Sequence, residues 1–239
     1  MGAAPSVAAG SFGVDRYPAV LFDFDGTLAN TGMAVMRIAA AVLRERGIEP
    51  AESDLRKMIG PPLVVGFRDV FDVPQPVAEE LTAAYRERFA REVTVADFPP
   101  IPGVPELLRA LRAQGRRLAV ATSRKEESAR QMIADLGWMP LFGAIAGMHE
   151  PERLTKADSI RCALAQLGVW PVDAVMIGDR FHDVEGAREV GCAVIGVYTG
   201  AAAPGEHDAA DAACHSMDEV AALLGVQTSL GDLPSAGLQ

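Results

Sequence analysis

Short apolar runs recur along this chain, each closed by glycine, threonine or aspartate and followed by residues of helical period. Residues 19–24 (Ala-Val-Leu-Phe-Asp-Phe) read as a buried strand, because a brief apolar run ended by turn residues is the pattern of a strand covered on both faces. Residues 31–46 read as a helix, with Met36, Ala40 and Leu43 on one face and Gly47 as its stop. The alternation then lapses. Between residues 50 and 98 three helical patterns follow one another without a strand. They are roughly 52–59, a second opening at the first-turn pair Pro61-Pro62, and 76–92, where Val77, Leu81, Ala84, Tyr85 and Phe89 keep helical spacing. Phe98-Pro-Pro-Ile-Pro-Gly103 reads as a stiff linker.

After Gly103 the rhythm returns. Helices are predicted over 103–114, 124–136, 155–168, 183–190 and 217–224, and strands over 117–122, near 143–146, 173–177 and 193–197. Apolar strands alternating with helices predict an α/β fold, a doubly wound parallel sheet covered on both faces. The expected organisation is a catalytic core of 17–30 and 99–225, a small inserted α-helical cap of 31–98, and flexible termini at 1–16 and 226–239. The Ala-rich stretch 201–213 carries no predicted element.

Composition narrows the function. Of 239 residues 49% are apolar, enough for a large core. The net charge of −10 argues against a nucleic-acid polymer as partner, since binding a polyanion needs a basic surface. A small anion needs only a few local cations and helix N-termini. Cys162, Cys192 and Cys214 form no Cys-x-x-Cys pair and the four histidines show no ligand spacing, so zinc is not expected. Reduced thiols, no basic-then-apolar leader and no apolar run of membrane-spanning length together predict a cytoplasmic protein with no membrane contact. A monomer or homodimer is expected.

The candidate chemistry lies where strands end. Asp23 and Asp25 close the first apolar run, followed by the turn pair Gly26-Thr27. Two carboxylates held close cost free energy unless a cation or a shared proton relieves them; one can attack an electrophile while the other carries a proton. Strand 117–122 ends in Thr122-Ser123, and Ser123 with Glu126 fits a capping box that would open a phosphate-binding helix N-terminus. Thr155 with Asp158 is a second cap signal, which places Lys156 in a first turn where the helix dipole disfavours it and an anion should neutralise it. Strand 173–177 ends in Gly178-Asp179 with Asp183 four residues on, either a helix N-cap or a metal ligand. Aspartate clusters at neighbouring strand ends suit Mg²⁺.

The ordered set Asp23-Phe-Asp25-Gly26-Thr27, Thr122-Ser123, Lys156 and Gly178-Asp179-x3-Asp183 resembles the haloacid-dehalogenase-like (HAD) hydrolase superfamily, most closely its phosphatases, over residues 19 to 200. The insert, with Ile59-Gly60-Pro61-Pro62-Leu63, is similar to the helical C1-type cap of the phosphoglycolate phosphatase and 5′-nucleotidase branch. The resemblance implies a Rossmann-like core and a Mg²⁺-dependent hydrolase acting on a small phosphorylated metabolite. It implies Asp23 as nucleophile forming an aspartyl-phosphate and Asp25 as acid, then base. Gly26, Thr27, Thr122, Ser123 and Lys156 would hold phosphoryl oxygens. Asp23, the Asp25 carbonyl and Asp179 would bind the metal, with Asp183 direct or through water. Two departures stand out: Asn30-Thr31 replaces the usual Asp-Ser, and Arg153-Leu-Thr precedes Lys156 without the common Lys-Pro. A phosphomutase, or a non-catalytic binding protein on the same fold, remains as an alternative. Asp25 speaks against a dehalogenase, whose chemistry calls for no leaving-group acid. Substrate choice is expected to fall to the cap, through Gly60, Pro61, Pro62 and Arg68, beside Phe67. Arg68 would suit a carboxylate such as phosphoglycolate; an apolar wall would suit a nucleoside monophosphate.

Overall fold

The computed structural model describes residues 9–227. Six strands form one parallel sheet: β1 (Ala19–Phe22), β2 (Arg117–Lys125), β3 (Ala144–Met148), β4 (Ala174–Gly178), β5 (Ala193–Val197) and β6 (Ala212–Cys214), in the order β3-β2-β1-β4-β5-β6. The chain leaves β1 toward β2 and β3, then returns past β1 to β4. This reversal at β1 opens a crevice at the carboxyl ends of β1, β2 and β4, where open α/β sheets bind ligands.

The strands are buried on both faces and still alternate. Val20, Phe22, Leu118, Val120, Val175 and Ile177 belong to one core, with residues of α5 (Val104–Ala113), α6 (Glu126–Asp135) and α9 (Met217–Leu224). Ala19, Leu21, Ala119, Ala121, Ala174 and Met176 belong to the other, with α7 (Lys156–Leu167) and α8 (Phe181–Val190). Successive strand side chains point to opposite faces, so one sheet supplies two cores. The insert consists of α1 (Gly32–Glu45), α2 (Glu52–Lys57), α3 (Leu63–Phe71) and α4 (Gln75–Glu92), a helical cap between β1 and α5. Phe67 and Tyr85 meet at 6.3 Å within it, and Tyr85 stacks on Phe89 at 5.6 Å.

Several local expectations are corrected. The first strand ends at Phe22, because the chain turns to make its aspartate loop; Asp23 N–H still bonds the Ile177 carbonyl at 2.9 Å. Strand β2 runs on to Lys125, so Thr122 and Ser123 lie in a strand and the expected Ser123–Glu126 capping box is absent; α6 starts at Glu126 with no side-chain cap. Pro61 and Pro62 precede α3 instead of forming its first turn. The Ala-rich stretch ends in β6, whose alanines pair with Ile195 and Gly196. Residues 9–16, expected to be flexible, include the buried Phe12, whose N–H bonds the Leu223 carbonyl at 2.9 Å. The fully buried Arg116 donates to the carbonyls of Phe12, Tyr17 and Leu224, tying this segment to α9. Val226 is buried as well. The rest of both expected tails, 1–8 and 228–239, lies outside the described residues. Among those described, no helix is long and apolar enough to cross a membrane, and all three cysteines are free thiols.

Candidate active site

Asp23, Asp179 and Asp183 converge beneath the crevice, all buried, each with a carboxylate oxygen within 4.8 Å of the others. Asp23 follows β1 and Asp179 follows β4, and these neighbouring strands bring them together. Asp183 is the third residue of α8; its Oδ2 accepts the Arg180 N–H at 3.0 Å, while Oδ1 faces the cluster. Asp183 is therefore not the helix N-cap, because α8 starts two residues earlier with Arg180 in that place; one of its oxygens accepts the Arg180 N–H and the other joins the acidic group. The Thr155–Asp158 capping box forms as expected. It sets Lys156 in the first turn of α7, where Nζ lies 2.8 Å from Asp23 Oδ1, 2.7 Å from Asp183 Oδ1 and 3.1 Å from the Ala121 carbonyl. The anion expected to neutralise Lys156 is this carboxylate pair.

The electrostatics follow from burial. Desolvation pushes the Asp23 carboxyl up to about 6; Lys156 pulls it down and Asp183 and Asp25 push it up. Desolvation also raises Asp179 well above the ordinary range, helped by Asp23 and Asp183. Lys156 is raised: burial lowers it, and the attraction of Asp183 and Asp23 outweighs that. Asp25 behaves differently. Burial would raise it, but Arg124 and Thr31 hold it below the usual carboxylate range. Arg124 grips it with two bonds, Nη2 to Oδ1 at 2.6 Å and Nε to Oδ2 at 3.0 Å, and Thr31 Oγ1 donates to Oδ1 at 2.5 Å. The departure at Asn30-Thr31 therefore leaves a hydroxyl on Asp25.

The donor set fits Mg²⁺. Asp179 Oδ1 is buried and has no hydrogen-bond partner, which in a native site calls for an ion or water. Asp23, Asp25, Asp179 and Asp183 against Lys156 and Arg124 leave two formal negative charges, and hard oxygen donors suit a small divalent cation.

Other assigned residues fall into two groups. Thr122 and Ser123 line the cavity above Asp23 and Asp25, as do Gly60, Pro61 and Pro62. Thr27 is fully buried and does not line it. The Gly26 N–H is engaged by the Ala29 carbonyl at 2.8 Å, so it does not face a phosphate. What Gly26 provides is space. Its φ is +74°, and a Cβ there would lie 2.4 Å from Asp179 Oδ2. Arg68 stands away from the site: it is 45% exposed, pairs with its neighbour Asp69 at 2.6 Å, and does not line the cavity. Phe67 is buried inside the cap. Neither lines the cavity in which the sequence placed its substrate contacts.

The structure adds residues the sequence reading left unassigned. Arg124 sits two positions past Thr122, but nothing in the spacing shows that it meets Asp25, 99 residues earlier. Ala201 N–H donates to Asp179 Oδ2 at 2.8 Å, and Thr199 Oγ1 to the Gly26 carbonyl at 2.8 Å, so the loop after β5 closes the site from the far side. Tyr85 and Phe89, expected on a helical core face, also line the cavity.

One consequence concerns stability. Lys156→Met leaves Asp23 and Asp183 buried without their cation, so the metal-free protein should lose about 3–5 kcal/mol of unfolding free energy at neutral pH. The loss should shrink as pH falls toward about 6 and below, because Asp23's folded-state pKa is already raised to that value. A carboxyl whose folded pKa lies above its unfolded one takes up a proton on folding, so folding gains as pH drops. Urea denaturation across pH 5 to 8 tests this; a loss independent of pH would contradict it.

Comparison with known proteins agrees with this geometry. Residues 20–197 match the family model described as haloacid dehalogenase-like hydrolase. A 5′-nucleotidase of Pseudomonas aeruginosa is 38% identical over 187 residues, covering 77% of this chain and 84% of that protein. Tyrosine-protein kinase PtkA of Mycobacterium tuberculosis is 36% identical over 174 residues, 72% of this chain and 59% of that protein. The crystal structure of a predicted phosphatase from Clostridium acetobutylicum superposes with a TM-score of 0.81 at 32% identity, over 86% of this chain and 96% of that one. With the family model spanning β1 to β5 and the cap, and the acidic group, Lys156 and Thr122 gathered at the sheet's switch point, this chain belongs to the haloacid dehalogenase-like hydrolases, as a phosphatase of that family.

Proposed function

We propose that the protein is a Mg²⁺-dependent phosphomonoesterase that works through an aspartyl-phosphate on Asp23, and that its substrate is a nucleoside 5′-monophosphate or a metabolite of similar size. One observation carries this reading: Asp23, Asp25 and Thr122 form the floor of a cavity of about 600 Å³ whose roof is apolar and aromatic. That volume encloses an organic molecule of drug size. Met58, Tyr85, Phe89 and Phe98 supply the apolar wall, with the Arg124 guanidinium 4.8 Å over the Phe89 ring, suited to packing against the apolar body of a leaving group. Phosphoglycolate would fill little of this space.

The chain's own groups divide the reaction. The Asp23 carboxylate attacks phosphorus, the bond to the leaving oxygen breaks, and that oxygen takes a proton from Asp25. Water then attacks the aspartyl-phosphate and gives its proton to Asp25, which releases phosphate and restores both carboxyls. Lys156 and the Thr122 hydroxyl hold phosphoryl oxygens where negative charge gathers. Asp23, Asp179, Asp183 and the Asp25 carbonyl are the groups that would hold Mg²⁺, which when bound neutralises phosphoryl charge. Asp25, gripped by Arg124 and Thr31, is in its anionic form, the form that takes a proton from water. Its acid role requires the Arg124 guanidinium to turn from Asp25 to the incoming substrate, so that Asp25 takes up a proton from solvent before it donates it to the leaving oxygen.

The test is release of inorganic phosphate from nucleoside monophosphates, phosphoglycolate and sugar phosphates. Nucleoside monophosphates should give the highest kcat/KM. Phe89→Ala, which removes part of the apolar wall and the ring beneath the Arg124 guanidinium, should raise KM for them by about tenfold, the worth of one buried aromatic contact, and raise it less for phosphoglycolate. Higher kcat/KM for phosphoglycolate would overturn the substrate assignment. Isomerisation of a hexose 1-phosphate without free phosphate would point to a mutase.

A further inference from the structure

Arg180 occupies the position between the acidic group and the cap. It follows Asp179 directly, and its own N–H bonds Asp183 Oδ2 at 3.0 Å. Its side chain leaves the core. Nη1 donates to the carbonyl of Ile59, at the start of the cavity-lining loop Gly60-Pro61-Pro62. Glu206 holds the guanidinium from behind, with Nε to Oε2 at 2.9 Å and Nη2 to Oε1 at 3.4 Å, and the same Oε2 accepts the Phe181 N–H at 3.1 Å. Side chains of Arg180 and Glu206 are only 15% and 16% exposed. Gly60 is built around this contact. Its φ is +109°, and a Cβ there would lie 2.4 Å from Arg180 Nη1. A side chain there would strain the positive-φ backbone and push the guanidinium aside, so glycine suits the close approach.

We infer that Arg180 is a positioning residue that fixes the cap loop 59–62 over the leaving-group end of the cavity, and so sets substrate specificity. This rests on the phosphatase reading for its kinetic consequences, but not for the contact itself. A planar guanidinium clamped by a carboxylate has little freedom left, so its remaining N–H is presented in a fixed direction. A loop stiffened by Pro61 and Pro62 transmits that anchor to the cavity wall as a unit. Arg180 does not line the cavity; it acts through Ile59 and Gly60. Loss of the anchor should loosen the wall that contacts the distal part of the substrate and leave the floor in place. Large leaving groups should feel this most.

The experiment compares wild type with Arg180→Gln, Arg180→Lys and Glu206→Gln. Hydrogen exchange in the absence of substrate should show the amides of Met58, Ile59, Gly60 and Leu63 exchanging at least tenfold faster in Arg180→Gln, with the β1 and β4 amides unchanged. KM for nucleoside monophosphates should rise by about tenfold, the worth of one charge-assisted hydrogen bond, with kcat within about twofold and phosphoglycolate hydrolysis little changed. Arg180→Lys should recover part of the KM, since it can still donate to Ile59, and Glu206→Gln should lie between. Unchanged exchange over 58–63 in a folded Arg180→Gln overturns the inference, whatever the protein's activity. Faster exchange with a fall in kcat equal for all substrates overturns the specificity role. If Arg180→Gln fails to fold, Glu206→Gln carries the same two readouts. A wild type inert toward phosphate esters would sink the phosphatase reading, while the exchange result would still decide the anchor.

Discussion

Replacement of Asp23 by Asn will lower turnover by about 10⁴-fold or more, the scale seen when a covalent nucleophile is removed, while the fold stays intact. The kinetic part follows from chemistry: an amide oxygen is a poor nucleophile, and no neighbour can substitute. Asp25 is turned toward Arg124, and Asp183 holds Lys156 and accepts the Arg180 N–H. The structural part follows from charge. Asp23 is buried among three other carboxylates, and desolvation pushes its pKa to about 6, so its ionised form is held at a cost. Asparagine keeps the shape, can still accept a bond from Lys156, and removes one negative charge from the group. The melting temperature of the metal-free variant should equal or exceed that of wild type. Steady-state phosphate release and thermal denaturation settle both halves. Near-normal turnover in Asp23→Asn would exclude the covalent mechanism; a collapsed melting temperature would contradict the account of the charges.

Exhaustive chelation should abolish phosphate release, Mg²⁺ should restore it, and Ca²⁺ should serve poorly because it favours longer bonds and higher coordination. The same ion should stabilise the fold. Three buried carboxylates repel one another, and among the described residues Lys156 alone bridges two of them. A cation that binds the folded state alone adds stability by mass action, about 2.7 kcal/mol at a hundred times its dissociation constant. The stabilisation should vanish in Asp179→Asn, whose Oδ1 is otherwise buried without a partner. Full activity after chelation would remove Mg²⁺ from the mechanism. An unshifted melting curve at saturating Mg²⁺ would place the metal elsewhere.

The sequence by itself determined the architecture and marked the strand ends and helix start where the candidate site's side chains stand. Apolar runs bounded by turns fixed five of the strands, because a strand buried on both faces leaves an unbroken apolar signature. The uninterrupted helical periods between residues 50 and 98 marked the cap. Asp23, Asp179 and Lys156 were legible because each sits at a strand end or a helix start, where local rules place side chains. Strand β6 escaped notice: an alanine-rich edge strand of three residues carries little pattern of its own and takes its shape from β5. The extent of β2 was likewise decided by pairing, since Lys125 aligns with Met148 across the sheet.

Only the tertiary structure decided which groups meet. Arg124 with Asp25, Arg180 with Ile59, and Ala201 with Asp179 are contacts between distant segments, and their partners are chosen by the reversal of strand order at β1. It also decided which side chains do not take part. Arg68 and Phe67 are adjacent in sequence, yet one faces solvent and the other the cap's interior, because helical geometry turns successive residues about 100° apart. Thr27, two residues past Asp25 on the floor of the site, is fully buried and does not line the cavity. Local periodicity tells which face of an element is buried; the packing of elements tells what that face, and the opposite one, will touch.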